Sequence, residues 1–156
     1  MKWLIPPKIK IYEALGCLGD ERIKEENAEI HVYSSSGNKF YIVKYFAEGE
    51  NSIMANDNGS YWKGYLGYPS IVYLMKIGKI KFDEKFAEAL RGIKWKDINQ
   101  KLKNDFEKTE ELIRKELVLK GVNMKEFDEE LGNIMEQIKK LDLNLLGGKI
   151  RSPSGY

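Results

Sequence analysis

Residues 52–75 read SIMANDNGSYWKGYLGYPSIVYLM, with four aromatic residues (Tyr61, Trp62, Tyr65, Tyr68) and three glycines (Gly59, Gly64, Gly67) between a strand-like run and an apolar helix-like run. A solubilising loop is polar, whereas these rings carry apolar area that must pack against the protein or bind something. The stretch therefore divides the chain. Strands are expected before it and helices after it.

Upstream, EIHVYS (29–34) and FYIVKYF (40–46) are rich in β-branched and aromatic residues, and SSSGNK between them is turn chemistry. They predict an antiparallel hairpin, with Ile30 and Val32 sharing one face and Tyr41, Val43 and Tyr45 sharing one face of the partner strand. A third short strand over 52–55 completes a three-stranded meander. Before it, Pro6 and Pro7 suit a helix start, and Ile9, Ile11, Tyr12, Leu15 and Leu18 give an apolar face, so a helix over 7–18 is expected. Gly16 inside that helix implies close packing or an early end.

Downstream of Pro69, SIVYLMKIG predicts a short buried helix closed by Gly78. Asp83 is an N-cap for a helix carrying Phe86, Ala87 and Leu90. Trp95, Ile98, Leu102, Phe106, Thr109, Ile113 and Leu117 recur at three and four, one face of a long helix ending at Gly121. Asn123 with Glu126 resembles a capping box opening a last helix whose Phe127, Leu131, Ile134, Ile138 and Leu141 form a second seam. Residues 95–142 should form an antiparallel helical hairpin, and 146–156 a mobile tail. The sum is one α+β domain over 1–145: N-terminal helix, small antiparallel sheet, helical C-terminal half.

Composition narrows the function classes. With 156 residues, 42% hydrophobic and 32% charged, the chain is long enough to bury roughly 70% of its unfolded surface in one core. Lys and Glu dominate the charges and only Gln100 and Gln137 represent glutamine, a lean toward a thermophile. One cysteine, Cys17, and no apolar run of 18 residues point to a cytoplasmic protein without a membrane span. His31, the one histidine, falls in a strand, and Cys17 with His31 makes neither a zinc site nor a convincing nucleophile pair. The glycines match neither a P-loop nor a dinucleotide fingerprint. No catalytic residue, metal or cofactor is assigned.

Charge distribution is more informative than the net charge of +2. Residues 76–103 hold nine basic and four acidic side chains, whereas 105–142 hold seven basic and eleven acidic. The expectation is a phosphate-facing patch that includes Lys76, Lys79, Lys94 and Lys96, with the acidic helices turned away. Joined to Tyr61, Trp62, Lys63 and Tyr65, it forms a candidate surface for single-stranded RNA or DNA or a ribonucleoprotein. Two alternatives stand beside this binding module. One is a protein-interaction module that dimerises through its C-terminal helices; the other is a small enzyme using Asp57, Tyr61 and Lys63.

The order hairpin, third strand, glycine loop and apolar helix over 29–78, ending in GYPSIVYLMKIG, resembles the SWIM-type zinc finger. That resemblance implies nucleic-acid and protein contacts. The positions matching its zinc ligands are Met54, Asn56, Tyr68 and Ser70, so it implies a metal-free form in which Trp62, Tyr65 and Tyr68 pack where the metal would sit. The run NDNGSYWKGYLGYP is also similar to a small uncharacterised archaeal protein family.

Overall fold

A computed structural model describes residues 1–48 and 51–145. Helix α1 (Ile9–Gly19) is followed by strands β1 (Ile23–Glu26), β2 (Glu29–Tyr33), β3 (Phe40–Phe46) and β4 (Ser52–Ala55). A π-helical turn (Gly59–Lys63) leads into α2 (Tyr68–Lys76), α3 (Glu84–Ala89), α4 (Trp95–Lys101), α5 (Phe106–Leu119), α6 (Met124–Leu141) and a final strand, β5 (Asn144–Leu145). The architecture is α+β, with the N-terminal helix, small sheet and helical C-terminal half that the sequence implies.

The sheet is larger than the expected meander. Its order is β1-β2-β3-β4-β5, antiparallel except for β5, which runs parallel to β4. The hairpin register pairs Ile30 with Val43 and Val32 with Tyr41, so the two shared faces expected within the strands become one face of the sheet. Strand β1 was hidden because IKEE is charged and its turn to β2 uses Asn27 and Ala28, both at positive φ, where Asn-Gly would have signalled a hairpin. Strand β5 is two residues long and has no pattern to detect.

The N-terminal segment, expected to lead into the first helix, instead works as a clasp. Leu145 N–H donates to Met1 O (2.8 Å), Trp3 N–H to Leu143 O (3.1 Å), and the Trp3 indole N–H to Ile53 O (3.0 Å). Leu4 N–H then donates to Gly64 O and Leu66 N–H to Leu4 O (3.0 and 3.2 Å). One extended segment thus ties β5, β4 and the aromatic loop together.

Helix α2 lies on β3 and β4, and α1 packs on α2, α3, α5 and α6. Every residue of α1 from Ile11 to Cys17 is buried, so it is a central helix rather than an amphipathic surface one. Gly16 and Gly19 allow this: a Cβ at Gly16 would meet the Trp95 indole nitrogen at 2.9 Å, and one at Gly19 the Ala87 carbonyl oxygen at 2.2 Å. Close packing, one of the two outcomes implied by Gly16, is what the structure shows. Tyr12 carries α1 onto the C-terminal helices, its hydroxyl donating to Glu110 Oε2 (2.7 Å) and accepting from Arg114 (3.1 Å), with its ring edge-on to Phe127.

The long helix expected from Trp95 to Leu117 is two helices. Lys103 and Asn104 adopt positive φ (52° and 59°), and Asp105 caps α5 by accepting from Lys108 N–H (3.2 Å). The three-four spacing continues across the break, which is why periodicity alone read through it. The hairpin is therefore α5 with α6, cross-linked by a bidentate Arg114–Asp128 pair (2.7 and 3.0 Å). Asp83 caps α3, and Asn123 caps α6 through both Lys125 and Glu126 N–H groups. The carboxylate of Glu126 pairs with Lys85 (3.1 Å). The hairpin seam is buried from Thr109 to Leu117 and from Phe127 to Ile138, with Leu141 half-buried, while Leu112, Val118 and Leu119 on its outer side are exposed. No helix among the described residues is long and apolar enough to cross a membrane. The expected tail, 146–156, lies outside the described residues.

Two glycine substitutions separate close approach from helix propensity. Gly19→Ala should cost about 1–3 kcal/mol, because its methyl collides with backbone. Gly132→Ala, at a position in α6 with nothing within 4 Å, should gain about 0.5–1 kcal/mol in chemical denaturation.

Candidate functional site

After β4, Asn56 extends the sheet with its side chain, Oδ1 accepting from Ile42 N–H (2.8 Å). Asp57 is 6% exposed and caps the π turn: its Oδ2 accepts from Ser60 N–H (3.2 Å) and its carbonyl from Tyr61 N–H (2.8 Å). Ser60 Oγ in turn accepts from Gly67 N–H at the start of α2 (3.2 Å). Two glycines make the closure possible. A Cβ at Gly67 would lie 2.0 Å from Asp57 Oδ2, and one at Gly59 would lie 2.3 Å from the Tyr65 ring. The turn ends at Gly64, whose φ of 74° suits glycine.

This loop sorts its aromatic residues. Trp62 is 66% exposed, with its ring edge-on to that of half-buried Tyr61 (4.5 Å between centroids). Lys63 is exposed beside them. Tyr65 and Tyr68 are half-buried, and Tyr68 meets Tyr41 edge-on at 6.2 Å.

Behind the turn lies a cleft of about 270 Å³, lined on one side by Asp57, Lys63 and Tyr65 and on the other by Lys10, Glu13 and Asn99. Rings of Tyr41, Tyr68 and Phe106 complete its walls. Lys10 and Glu13, one turn apart on the buried helix α1, form an ion pair at 3.2 Å with side chains only 13% and 4% exposed. Asn99 Nδ2 donates to Glu13 Oε1 (3.0 Å), and Lys10 Nζ also lies over the Phe106 ring at 4.8 Å. Burial opposes the Lys10 charge, but Glu13, with Tyr65 and Asp57 nearby, holds its pKa above the ordinary lysine value. Burial pushes the Asp57 carboxyl up, only partly countered by the Ser60 bonds and by Lys10. Burial likewise raises the Tyr68 phenol well above its usual range. Two acceptors of cleft-lining residues, Asp57 Oδ1 and Asn99 Oδ1, are buried with no hydrogen-bond partner among the described residues.

Of the residues singled out from sequence, Tyr61, Trp62, Lys63 and Tyr65 come together on the loop. Lys76 and Lys79 do not join them. Lys76 ends α2, about 12 Å of helix from Tyr68, and faces a separate hollow with Leu18, Phe82 and Arg91, while Lys79 lies beyond the helix. Lys94 is exposed at the start of α4, and Lys96, half-buried, lines a small gap with Glu13, Tyr68 and Asn99 that adjoins the cleft. Nor are the acidic helices turned away from the basic segment. Glu126 on α6 pairs with Lys85, so opposite charges meet within the chain, and Gln137 on the same helix bonds both the N–H and the carbonyl of Lys81.

Met54, Asn56 and Ser70 are buried where the SWIM layout would place ligands, and Tyr68 lines the cleft. Cys17 is in the core, where burial pushes its thiol up to about 12, and His31 stacks on Phe40 at 4.0 Å, as structural residues do. The inner wall, Lys10, Glu13 and Asn99, was not anticipated. Its signal was a lysine and a glutamate three apart in an otherwise apolar helix.

The family model of uncharacterised conserved protein UCP014422 matches residues 3–144. The chain belongs to that family. The matched span runs from the Trp3 clasp to β5, so the family model takes in the whole cleft and the loop beside it. Comparison with curated proteins and with solved structures finds no match.

The Asp57 geometry has a pH consequence. A carboxyl whose folded-state pKa is raised binds its proton more tightly when folded, so its contribution to stability falls as pH rises from about 4 through the folded value. Asp57→Asn, which keeps an acceptor for Ser60, should gain stability relative to wild type across that rise in urea titrations at several pH values. A variant less stable than wild type at neutral pH would show that the carboxylate itself is required.

Proposed function

We propose that the protein is a non-enzymatic binding module for single-stranded nucleic acid, alone or in a ribonucleoprotein, and that the π turn is its contact. The observation that carries this reading is Trp62: two-thirds exposed, set edge-on to Tyr61, and followed by exposed Lys63 at a cleft walled by further rings. Base stacking on aromatic rings with a nearby cation is the sequence-tolerant way to hold a single strand. The SWIM-like layout is consistent with this class of ligand. Lys63, with Lys96 nearer the cleft than Lys76 or Lys79, supplies the phosphate contacts.

A second reading has one observation behind it, the placing of Asp57 and Lys10 on the same cleft. The enzyme first suggested by Asp57, Tyr61 and Lys63 would then use Asp57 as its acid–base group and Lys10 as a fixed charge.

The two readings part on variants. Trp62→Ala with Lys63→Ala should weaken binding of labelled single-stranded RNA or DNA by tenfold or more in fluorescence anisotropy, with the thermal midpoint unchanged because both side chains are exposed. Lys76→Ala with Lys79→Ala should change affinity less than twofold. Unfolding of the first variant, or equal losses in both, would remove the turn from the binding surface.

A further inference from the structure

We propose that the cleft behind the π turn is a pocket for one unstacked nucleobase that carries an exocyclic amine, with Asp57 Oδ1 and Asn99 Oδ1 accepting from its polar edge. The inference rests on the reading of the π turn as a nucleic-acid contact and names what the cleft adds to it.

The volume, about 270 Å³, is at the small end for a ligand site and fits a single ring system rather than a peptide or a dinucleotide. Its walls include Tyr41, Tyr65, Tyr68 and Phe106, the surroundings in which splayed-out bases are held. The polar groups then decide which ring. Glu13 is already satisfied by Lys10 and by Asn99 Nδ2, and that second bond fixes which way the Asn99 amide points. What remains is Asn99 Oδ1 and, on the opposite wall, Asp57 Oδ1, the latter on a residue more than nine-tenths buried.

Both leftover atoms are acceptors, so the ligand that completes the site brings donors. A purely apolar ligand would leave both buried acceptors unpaired, at a cost of about 1–3 kcal/mol each. A free anion would meet the Asp57 and Glu13 oxygens. The described residues gather no group of three or more His, Cys, Asp and Glu for a metal ion. Among planar ligands, adenine, cytosine and guanine carry an amine with two N–H donors, whereas uracil and thymine present carbonyls flanking a single N–H. Lys63, on the cleft lining and exposed, is placed for the phosphate of the same nucleotide.

The test uses the full chain and two kinds of probe. Adenosine, cytidine, guanosine and uridine 5′-monophosphates are titrated by calorimetry, and oligo-A, oligo-C and oligo-U single strands by anisotropy. The expected result is at least tenfold tighter binding of one or more amine-bearing monophosphates than of uridine monophosphate, with the same order among the strands. Asp57→Asn, whose amide can donate where the carboxylate accepts, should reduce that preference to less than threefold. If Asp57→Asn does not fold, Asn99→Ala at half-buried Asn99 should reduce the preference in the same direction. Base-selective binding of monophosphates without strand binding would uphold the pocket and sink the strand contact. Strand binding with equal affinity for all bases would do the reverse, and no binding of any monophosphate at millimolar concentration would overturn the pocket.

Discussion

The Lys10–Glu13 ion pair is the constraint around which the interior is arranged. A pair held on a largely buried helix loses most of its hydration, and Coulomb attraction offsets that loss only when the remaining hydrogen-bonding capacity is met. Glu13 meets it through Asn99, which requires α4 to lie across α1. Helix α4 cannot then run straight into α5, because Tyr12 already ties α5 to another side of α1 through Glu110 and Arg114. The break at Lys103 and Asn104 is the geometric result. Gly16 and Gly19 let Trp95 and α3 close directly against α1, and the charged pair faces the cleft.

The cleft's other wall is a closed loop rather than a mobile one. Asp57, Ser60 and Gly67 bond in sequence across ten residues, and the N-terminal clasp holds the loop again through Leu4. What such closure leaves outside is selective: Tyr65 is drawn over Gly59, while Trp62 and Lys63 are pushed into solvent at the turn. A rigid turn carrying an exposed ring loses little entropy when a base stacks on it, which favours binding over a merely protective role.

Much of the fold was legible because it rests on local chemistry. The 29–46 hairpin, the Asp83 and Asn123 caps, and the α2 helix after Pro69 each follow from spacing or from one capping side chain. The rest depends on contacts between distant residues. Strand β1 is charged and turns through an Ala at positive φ, β5 exists because Asn51 and Met1 offer it backbone partners, and the α4–α5 break keeps the apolar period intact. The outer half of the site, Tyr61 to Tyr65, was visible as an aromatic cluster that a plain loop would not carry. Its inner half was not, because Lys10 and Glu13 look like a pair on an open surface until the neighbours packed around α1 are known. The basic segment is divided for a related reason: α2 separates Lys76 and Lys79 from the turn.

Tryptophan fluorescence tests the claim that the π turn is the contact surface. Trp3 and Trp95 are 8% and 4% exposed, so acrylamide quenching reports almost wholly on Trp62. Adding saturating single-stranded oligonucleotide should suppress the quenching, and Trp62→Phe should remove both the quenching and its suppression. Quenching that is unchanged at saturating oligonucleotide would place the nucleic acid elsewhere and contradict the assignment of the turn.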